Sequence, residues 1–458
     1  MKPKATLWGD GSAADPLVDR YTVGEDRVLD RRLLRWDVLG TLGHVEGLRA
    51  AGLLSAGEHR RLVAALRRAL RAADAGELTV TDADEDCHSA LEKHLVRELG
   101  DLGAKVHTGR SRNDQVVCAL RLLMRDRLLA IEAALLECAG ALAAFGARHA
   151  RTLWPGWTHQ RRAMPSTVGL WGTGFAASLL DDLGPVDAVL ALADRSPLGS
   201  AAGYGVPLPL DRRAAARALG FREVQNPVTA VQISRGKLEA QVLAALWAVG
   251  HDLGKLAWDV ILLSADEYGL LRLPGELATG SSIMPHKKNP DLFELTRARA
   301  GLLDGLLVQA MAVCGRLPSG YHRDLQLTKG ALLRGLDTVE EMLAMTARAV
   351  PQLEIDEQAC RAALGADLLA TDEVFRRVRE DGTPFRTAYR EVAAEVAAGR
   401  EPPVPSAREI LSARRHEGGA GRPGIAALQR RIAAAARRVE AKRRAFDAAM
   451  ARLAGRAR

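Results

Sequence analysis

The chain is predicted to be all-α, and three observations carry the prediction. Alanine, leucine, arginine and glutamate, all strong helix formers, dominate the composition, while aromatic residues make up only 4% and β-branched runs are sparse. Apolar residues recur at helical spacing, as in Leu62, Ala65, Leu66 and Leu70, and again in Leu120, Leu122, Leu123, Leu128 and Leu129. Long stretches also run without proline, the residue that removes a backbone donor and blocks helix continuation.

Taken in order, the residues before His107 read as shorter, charge-rich helices. Val116–Ala150 contains no proline and reads as one long helix, continued in pattern by Ile131, Leu135 and Leu136. Ser234–Leu271 gives a second, Asp291–Arg316 a third and Thr328–Val350 a fourth. Several helices of this length bury their apolar stripes only by packing side by side, which predicts a central bundle. After Pro351 the pattern restarts. Glu401-Pro-Pro-Val-Pro405 reads as a stiff connector, and Gly418 to Gly424 as a flexible turn before a final basic helix. No internal repeat is visible. At 458 residues the chain exceeds what one core supports. We therefore divide it into an N-terminal helical domain (1–110), a central bundle domain (111–355) and a C-terminal helical domain (356–458).

Composition excludes some classes. With 48% hydrophobic and 26% charged residues, the chain is ordinary for a globular protein. No apolar run is read as approaching membrane-spanning length, and Met1-Lys2-Pro3-Lys4 leads into no signal-like core, so no membrane association is expected. Cys87, Cys118, Cys138, Cys314 and Cys360 are an odd, scattered set without metal-type spacing, which suits reduced thiols in the cytoplasm. The net charge of +8 is local: from Arg400 onward fifteen Lys and Arg face five Asp and Glu, leaving 49 against 51 elsewhere. Solvated helix faces account for it, and with Phe446 as the only aromatic there, nucleic acid is not an expected partner.

The segment Gly280-Ser-Ser-Ile-Met-Pro-His-Lys-Lys-Asn-Pro-Asp291 is the most informative in the chain. Pro285 and Pro290 make it a loop, and a glycine-hinged loop carrying Ser281, Lys287 and Asn289 suits closure over a small anion. In His107-Thr-Gly-Arg-Ser-Arg-Asn-Asp-Gln115, Ser111, Arg112 and Asn113 stand ahead of the first long helix, where donors and the positive helix end favour a carboxylate. Thr158 and His159 lie between a Pro-Gly turn and Pro165, and an imidazole there can shuttle protons near neutral pH. Tyr321, Arg323, Gln326 and Lys329 fall about one helical turn apart. His88 and Glu92 are i,i+4 neighbours read as an ordinary helix-surface pair; no third ligand has recognisable spacing, so no metal is expected. Gly199–Gly205 lacks the ending of a phosphate loop and reads as a tight, mobile connection near the site.

Together these segments resemble the argininosuccinate lyase family of the fumarase/aspartase superfamily. The resemblance runs from Leu7-Trp8-Gly9 to about Tyr389, and its most specific parts are His107–Gln115, Tyr321–Lys329, Leu369-Ala-Thr-Asp372 and Thr383-Pro-Phe-Arg386. It implies an all-helical, three-domain fold whose central helices form a twenty-helix core in a homotetramer, each active site drawing residues from three subunits. It implies reversible cleavage of argininosuccinate into arginine and fumarate, in arginine biosynthesis, with no cofactor. Ser281 is then the base, with Lys287 and Asn289 holding the carboxylate where charge develops. His159, oriented by Glu294, acts as or relays to the acid. Ser111, Arg112, Asn113 and Thr158 bind the fumarate-like half, and Tyr321, Gln326, Lys329 and Arg235 the arginine-like half.

The sequence departs from the family at Asp10-Gly11-Ser12, Arg161, Gly236 and His286, and lacks a clear match for a hydroxyl near Tyr21–Gly24. His286 and Arg161 point to an alternative, another fumarate-releasing lyase acting on an N-substituted aspartate such as adenylosuccinate. A non-catalytic structural recruit is a further alternative, against which Ser281, Lys287, Asn289 and His159 all stand.

Overall fold

A computed structural model describes residues 15–456 apart from 403; the departures at Asp10-Gly11-Ser12 and the Leu7-Trp8-Gly9 match lie outside the described residues. The described chain is mostly helical, with eight short strands in four two-stranded pairs. Its axis is the 37-residue helix Arg112–Arg148. Ser111 caps it: the Ser111 hydroxyl accepts from Asn113 N at 3.2 Å, and Asp114 accepts from Ser111 N at 3.1 Å. Around this helix pack Val168–Ala193, Thr328–Ala349, Ile425–Ala454 and Leu34–Ala50, and Lys237–Leu263 with Asp291–Cys314 completes the bundle.

The first long helix starts four residues earlier than its apolar pattern suggested, because the polar segment Arg112–Gln115 forms its capped first turn. Lys237–Leu263 is shorter than expected at both ends: Gly236 starts it and the chain turns at Ser264. Gly236 has φ +77°, and a Cβ there would sit 2.5 Å from Cys314 Cβ, which explains glycine at that position. Against the expectation of no membrane-length apolar segment, Arg112–Arg148 is long and apolar enough to cross a bilayer. Burial on most sides within the bundle accounts for that composition.

Val168–Ala193, with Pro185 inside it, is a long helix the pattern did not announce. Its glycines serve close approach: a Cβ on Gly169 would meet Ala150 Cα at 2.5 Å, and one on Gly172 would meet the Leu142 carbonyl at 3.1 Å. Between these two helices the chain makes an antiparallel hairpin, Leu153–Thr158 with Arg161–Thr167. The basic final helix lies on the bundle with part of its charge matched there: Lys442 Nζ reaches Glu132 at 2.6 Å and Asp187 at 2.7 Å, and Arg443 reaches Asp126 at 2.9 Å. Two small apolar clusters stand apart from the main core, one around Leu153, Leu369 and Ile410 and one around Val374, Ala388 and Val392.

Candidate active site

The N-terminus of Arg112–Arg148 opens onto a cavity of about 420 Å³. Ser111, Arg112 and Asn113 form one wall; Tyr321, Arg323, Gln326 and Lys329 form another; Asp26, Asp30, Glu85, Asp86, His88 and Arg110 complete it. Segments more than 200 residues apart in sequence thus converge on one space. The second wall is not the regular helix suggested by spacing: Arg323–Leu327 is a 3-10 turn, and Lys329 lies in the first turn of the helix Thr328–Ala349.

Each side chain is held by neighbours. Arg112 Nη1 lies 2.7 Å from Glu85 Oε2 and 3.0 Å from Asp86 Oδ2, so its guanidinium is fixed but already countered. Gln326 donates through Nε2 to the Tyr321 hydroxyl at 3.2 Å and accepts from Arg235 Nη2 at 3.2 Å. Arg235 is buried and sits over the Tyr321 ring, 5.1 Å from its centroid, so it backs the wall rather than lining it. Lys329 is 1% exposed, and its Nζ lies 2.7 Å from both Asp26 Oδ1 and Asp30 Oδ1. Burial pushes the Lys329 ammonium down, but the charges of Asp30 and Asp26 outweigh it and leave the pKa raised.

His88 was read as a surface residue; it is buried, with Nδ1 2.8 Å from Asp37 Oδ1. Burial lowers its pKa, yet the Asp37 charge and hydrogen bond leave it raised overall. Glu92 faces His107 instead, at 3.7 Å. The ligand atoms of Asp37, Cys87 and His88 lie within 4.8 Å of one another, a grouping that spacing did not reveal. The Gly199–Gly205 connection is pinned rather than mobile: Asp114 Oδ2 accepts from Gly199 N at 3.1 Å and Ala201 N at 2.9 Å. Burial pushes the Asp114 carboxyl up to about 6.

The remaining predicted residues, exposed or half-buried, do not line this cavity. His159 and Gln160 are the central residues of the hairpin loop, both with positive φ (53° and 57°), the geometry of a tight two-residue turn. Thr158 and His159 are exposed at its tip. The Gly280 loop is a second small hairpin, closed where Thr279–Gly280 pairs with Lys288–Asn289. Within it the Ser281 hydroxyl oxygen accepts from Ile283 N at 3.3 Å and Met284 N at 3.0 Å. Lys287 is exposed, Asn289 half-buried, and Glu294 is exposed on the first turn of Asp291–Cys314. Among the described residues no hydrogen bond joins Glu294 to His159.

Sequence reading missed the carboxylates of the cavity: Asp26 and Asp30 on Lys329, and Glu85 and Asp86 on Arg112. The available signal was a pair of acidic residues at i,i+4, Asp26 and Asp30, just ahead of an apolar helix.

The chain is thus a mostly helical bundle with one polar cavity at the N-terminus of its longest helix, and comparison with known proteins places it among the lyases. The lyase family model matches residues 12–305. A protein from Sorangium cellulosum (strain So ce56) named argininosuccinate lyase is 46% identical over 426 residues, covering 93% of this chain and 98% of its own. Among solved structures, EDDS lyase in complex with formate superposes with a TM-score of 0.82 over 97% of this chain and 96% of its own at 24% identity. Recombinant class II fumarase from Schistosoma mansoni gives 0.71 over 86% and 90% at 17% identity. The chain belongs to the argininosuccinate lyase family, a family of carbon–nitrogen lyases.

Proposed function

We propose that the chain catalyses the reversible elimination of argininosuccinate to arginine and fumarate, in arginine biosynthesis. The observation that carries this reading is the single cavity joining Ser111, Arg112 and Asn113 to Tyr321, Gln326 and Lys329. A proton is removed from carbon beside a carboxylate, and the doubly charged aci-carboxylate that forms must be stabilised where charge develops. Ser281 is the base. The two backbone N–H groups already aimed at its Oγ stabilise the alkoxide it needs, and Lys287 adds charge. Lys287 and Asn289 hold the reacting carboxylate. His159, oriented by Glu294, donates or relays the proton to the leaving guanidino nitrogen. Ser111, Arg112, Asn113 and Thr158 take the fumarate half; Tyr321, Gln326, Lys329 and Arg235 take the arginine half.

The loop and the hairpin tip are exposed in one chain, away from the cavity walls. That supports sites completed by neighbouring copies, in a homotetramer with a twenty-helix core. Exposed Trp247, Trp258, Leu302, Val308 and Met311 on Lys237–Leu263 and Asp291–Cys314 give such a core its apolar contact. The division at 1–110, 111–355 and 356–458 follows the same reading, with the last helix returning to the bundle. Cytoplasmic location is consistent with five free cysteines.

A second reading, another N-substituted aspartate, is favoured by one observation: Lys329 is enclosed by two carboxylates, so its pole of the cavity is not a simple anion site. Fumarate release from argininosuccinate, measured beside adenylosuccinate and aspartate, separates the readings. Release from argininosuccinate supports the first; silence there with release from adenylosuccinate establishes the second.

A further inference from the structure

A second cavity, of about 540 Å³, lies where the Leu153–Thr167 hairpin meets the helices Val168–Ala193 and Lys237–Leu263. Five of the chain's nineteen aromatic residues line it: Trp154, Trp157, Trp171, Phe175 and Tyr268. They follow one another edge to face, with centroids 6.4 Å (Tyr268–Trp157), 6.0 Å (Trp157–Trp154), 5.7 Å (Trp154–Trp171) and 5.5 Å (Trp171–Phe175) apart. Successive ring planes are close to perpendicular, so they wall the space on more than one side. Elsewhere in the described chain, arginine guanidinium groups cover rings such as Trp258, Phe221 and Phe145; none is recorded over these five.

The polar lining is biased toward acid. Asp252 and Asp259, seven residues apart, share one face of Lys237–Leu263, with Lys255 the only basic lining residue. Asp259 accepts from Trp171 Nε1 at 2.8 Å, which ties a carboxylate to an aromatic wall. Asp182, which does not line the cavity but feels the Asp252 charge, keeps a buried Oδ2 with no hydrogen-bond partner. Its carboxyl is pushed up to about 7, by burial first and then by the charges of Asp252 and Asp181.

Electron-rich ring faces with carboxylates at hydrogen-bond reach recognise a planar organic cation, by stacking and paired N–H donors. We propose that this cavity is a second ligand site, distinct from the lyase cavity, that takes a small guanidinium compound. The hairpin residues Trp154, Pro155, Gly156, Trp157 and Gln160 form part of its wall, and the same hairpin carries Thr158 and His159 at its tip. Occupancy therefore sets the position of the tip and modulates turnover. This regulatory part rests on the proposed lyase function; the binding part does not.

The test uses methylguanidinium on the intact assembled protein, followed by tryptophan fluorescence and calorimetry. Saturable binding is expected in the unmodified protein and in Lys329→Met, with affinity weakened at least about tenfold in Asp252→Asn and in Asp259→Asn. Circular dichroism establishes that each variant is folded, and the two single-atom exchanges guard against one of them failing. No binding to the unmodified protein, as when a second copy fills the cavity, overturns the proposal. So does binding lost in Lys329→Met but kept in both aspartate variants. If binding maps here, methylguanidinium should change kcat or KM in the unmodified protein and not in Asp252→Asn; unchanged kinetics overturns the regulatory part. Failure of every substrate to turn over would instead refute the lyase reading, while the binding measurements keep their meaning.

Discussion

Replacing Lys329 with methionine keeps its length and removes its charge. Two carboxylates then remain around the vacated Nζ position, each previously 2.7 Å from it, in a place where Lys329 and Asp30 are 1% exposed and Asp26 13%. Removing one partner of a buried ion pair costs about 3–5 kcal/mol, because the remaining charge is left desolvated and unpaired. Asp26 keeps some water contact, so we expect a loss near the lower end, about 3 kcal/mol. The sign of its pH dependence follows from the carboxylates. Burial already raises the Asp26 pKa with Lys329 only partly opposing it, and without Lys329 it rises further. A raised carboxyl in the folded state weakens stability as pH climbs from its unfolded value through the folded one, so the deficit should shrink in acid. Lys329's own contribution has the opposite edge: it is present below about 10.5, the unfolded value, and is lost as pH rises through the raised folded value. The assay is guanidinium chloride unfolding at fixed protein concentration, followed by circular dichroism at about pH 8 and about pH 5. The double variant Lys329→Met/Asp26→Asn should recover part of the loss. A deficit below about 1 kcal/mol, or one equal at the two pH values, would refute the reasoning.

Ser281→Ala should lower turnover on the order of 10²–10⁴-fold with substrate still bound, read by single-turnover kinetics and calorimetry; near-normal turnover removes Ser281 as base. Mixing Ser281→Ala with His159→Asn chains should restore activity in hybrid assemblies, and none in verified hybrids would count against shared sites. His88→Asn should destabilise the fold more at about pH 6 than at about pH 9, since a raised histidine contributes below its unfolded value and loses that contribution as pH passes the folded one. Equal losses at both would show that the Asp37 pairing is not charge-dependent.

The long helices were legible because alanine and leucine at a 3.6 period state their own structure. Val168–Ala193 was not, since Gly169, Gly172, Gly174, Gly184 and Pro185 read locally as breakers; only the closeness of Arg112–Arg148 gives Gly169 and Gly172 their purpose. The polar segments that line the cavity announced themselves by crowding polar side chains around a glycine. Their partners did not: Asp30 meets Lys329 across 299 residues, and no local pattern encodes such a pairing. The hairpin was hidden by Pro155 and Pro165, which fit a short, irregular two-stranded ladder. Ser281 and His159 lie outside the cavity walls, a placement on which a linear pattern is silent.

The glycine-lined crossing of Arg112–Arg148 and Val168–Ala193 also makes the hairpin a lever. Both of its arms root at that crossing, and six strand residues at about 3.3 Å each carry its tip about 20 Å away. A tilt of about 5° at the root moves the tip by nearly 2 Å, more than the roughly 1 Å that can cost a hundredfold in rate. One methyl group added at Gly169 or Gly172, deep in the bundle, would thus misaim Thr158 and His159 without touching either. The smallest side chains in the protein act as its alignment screws.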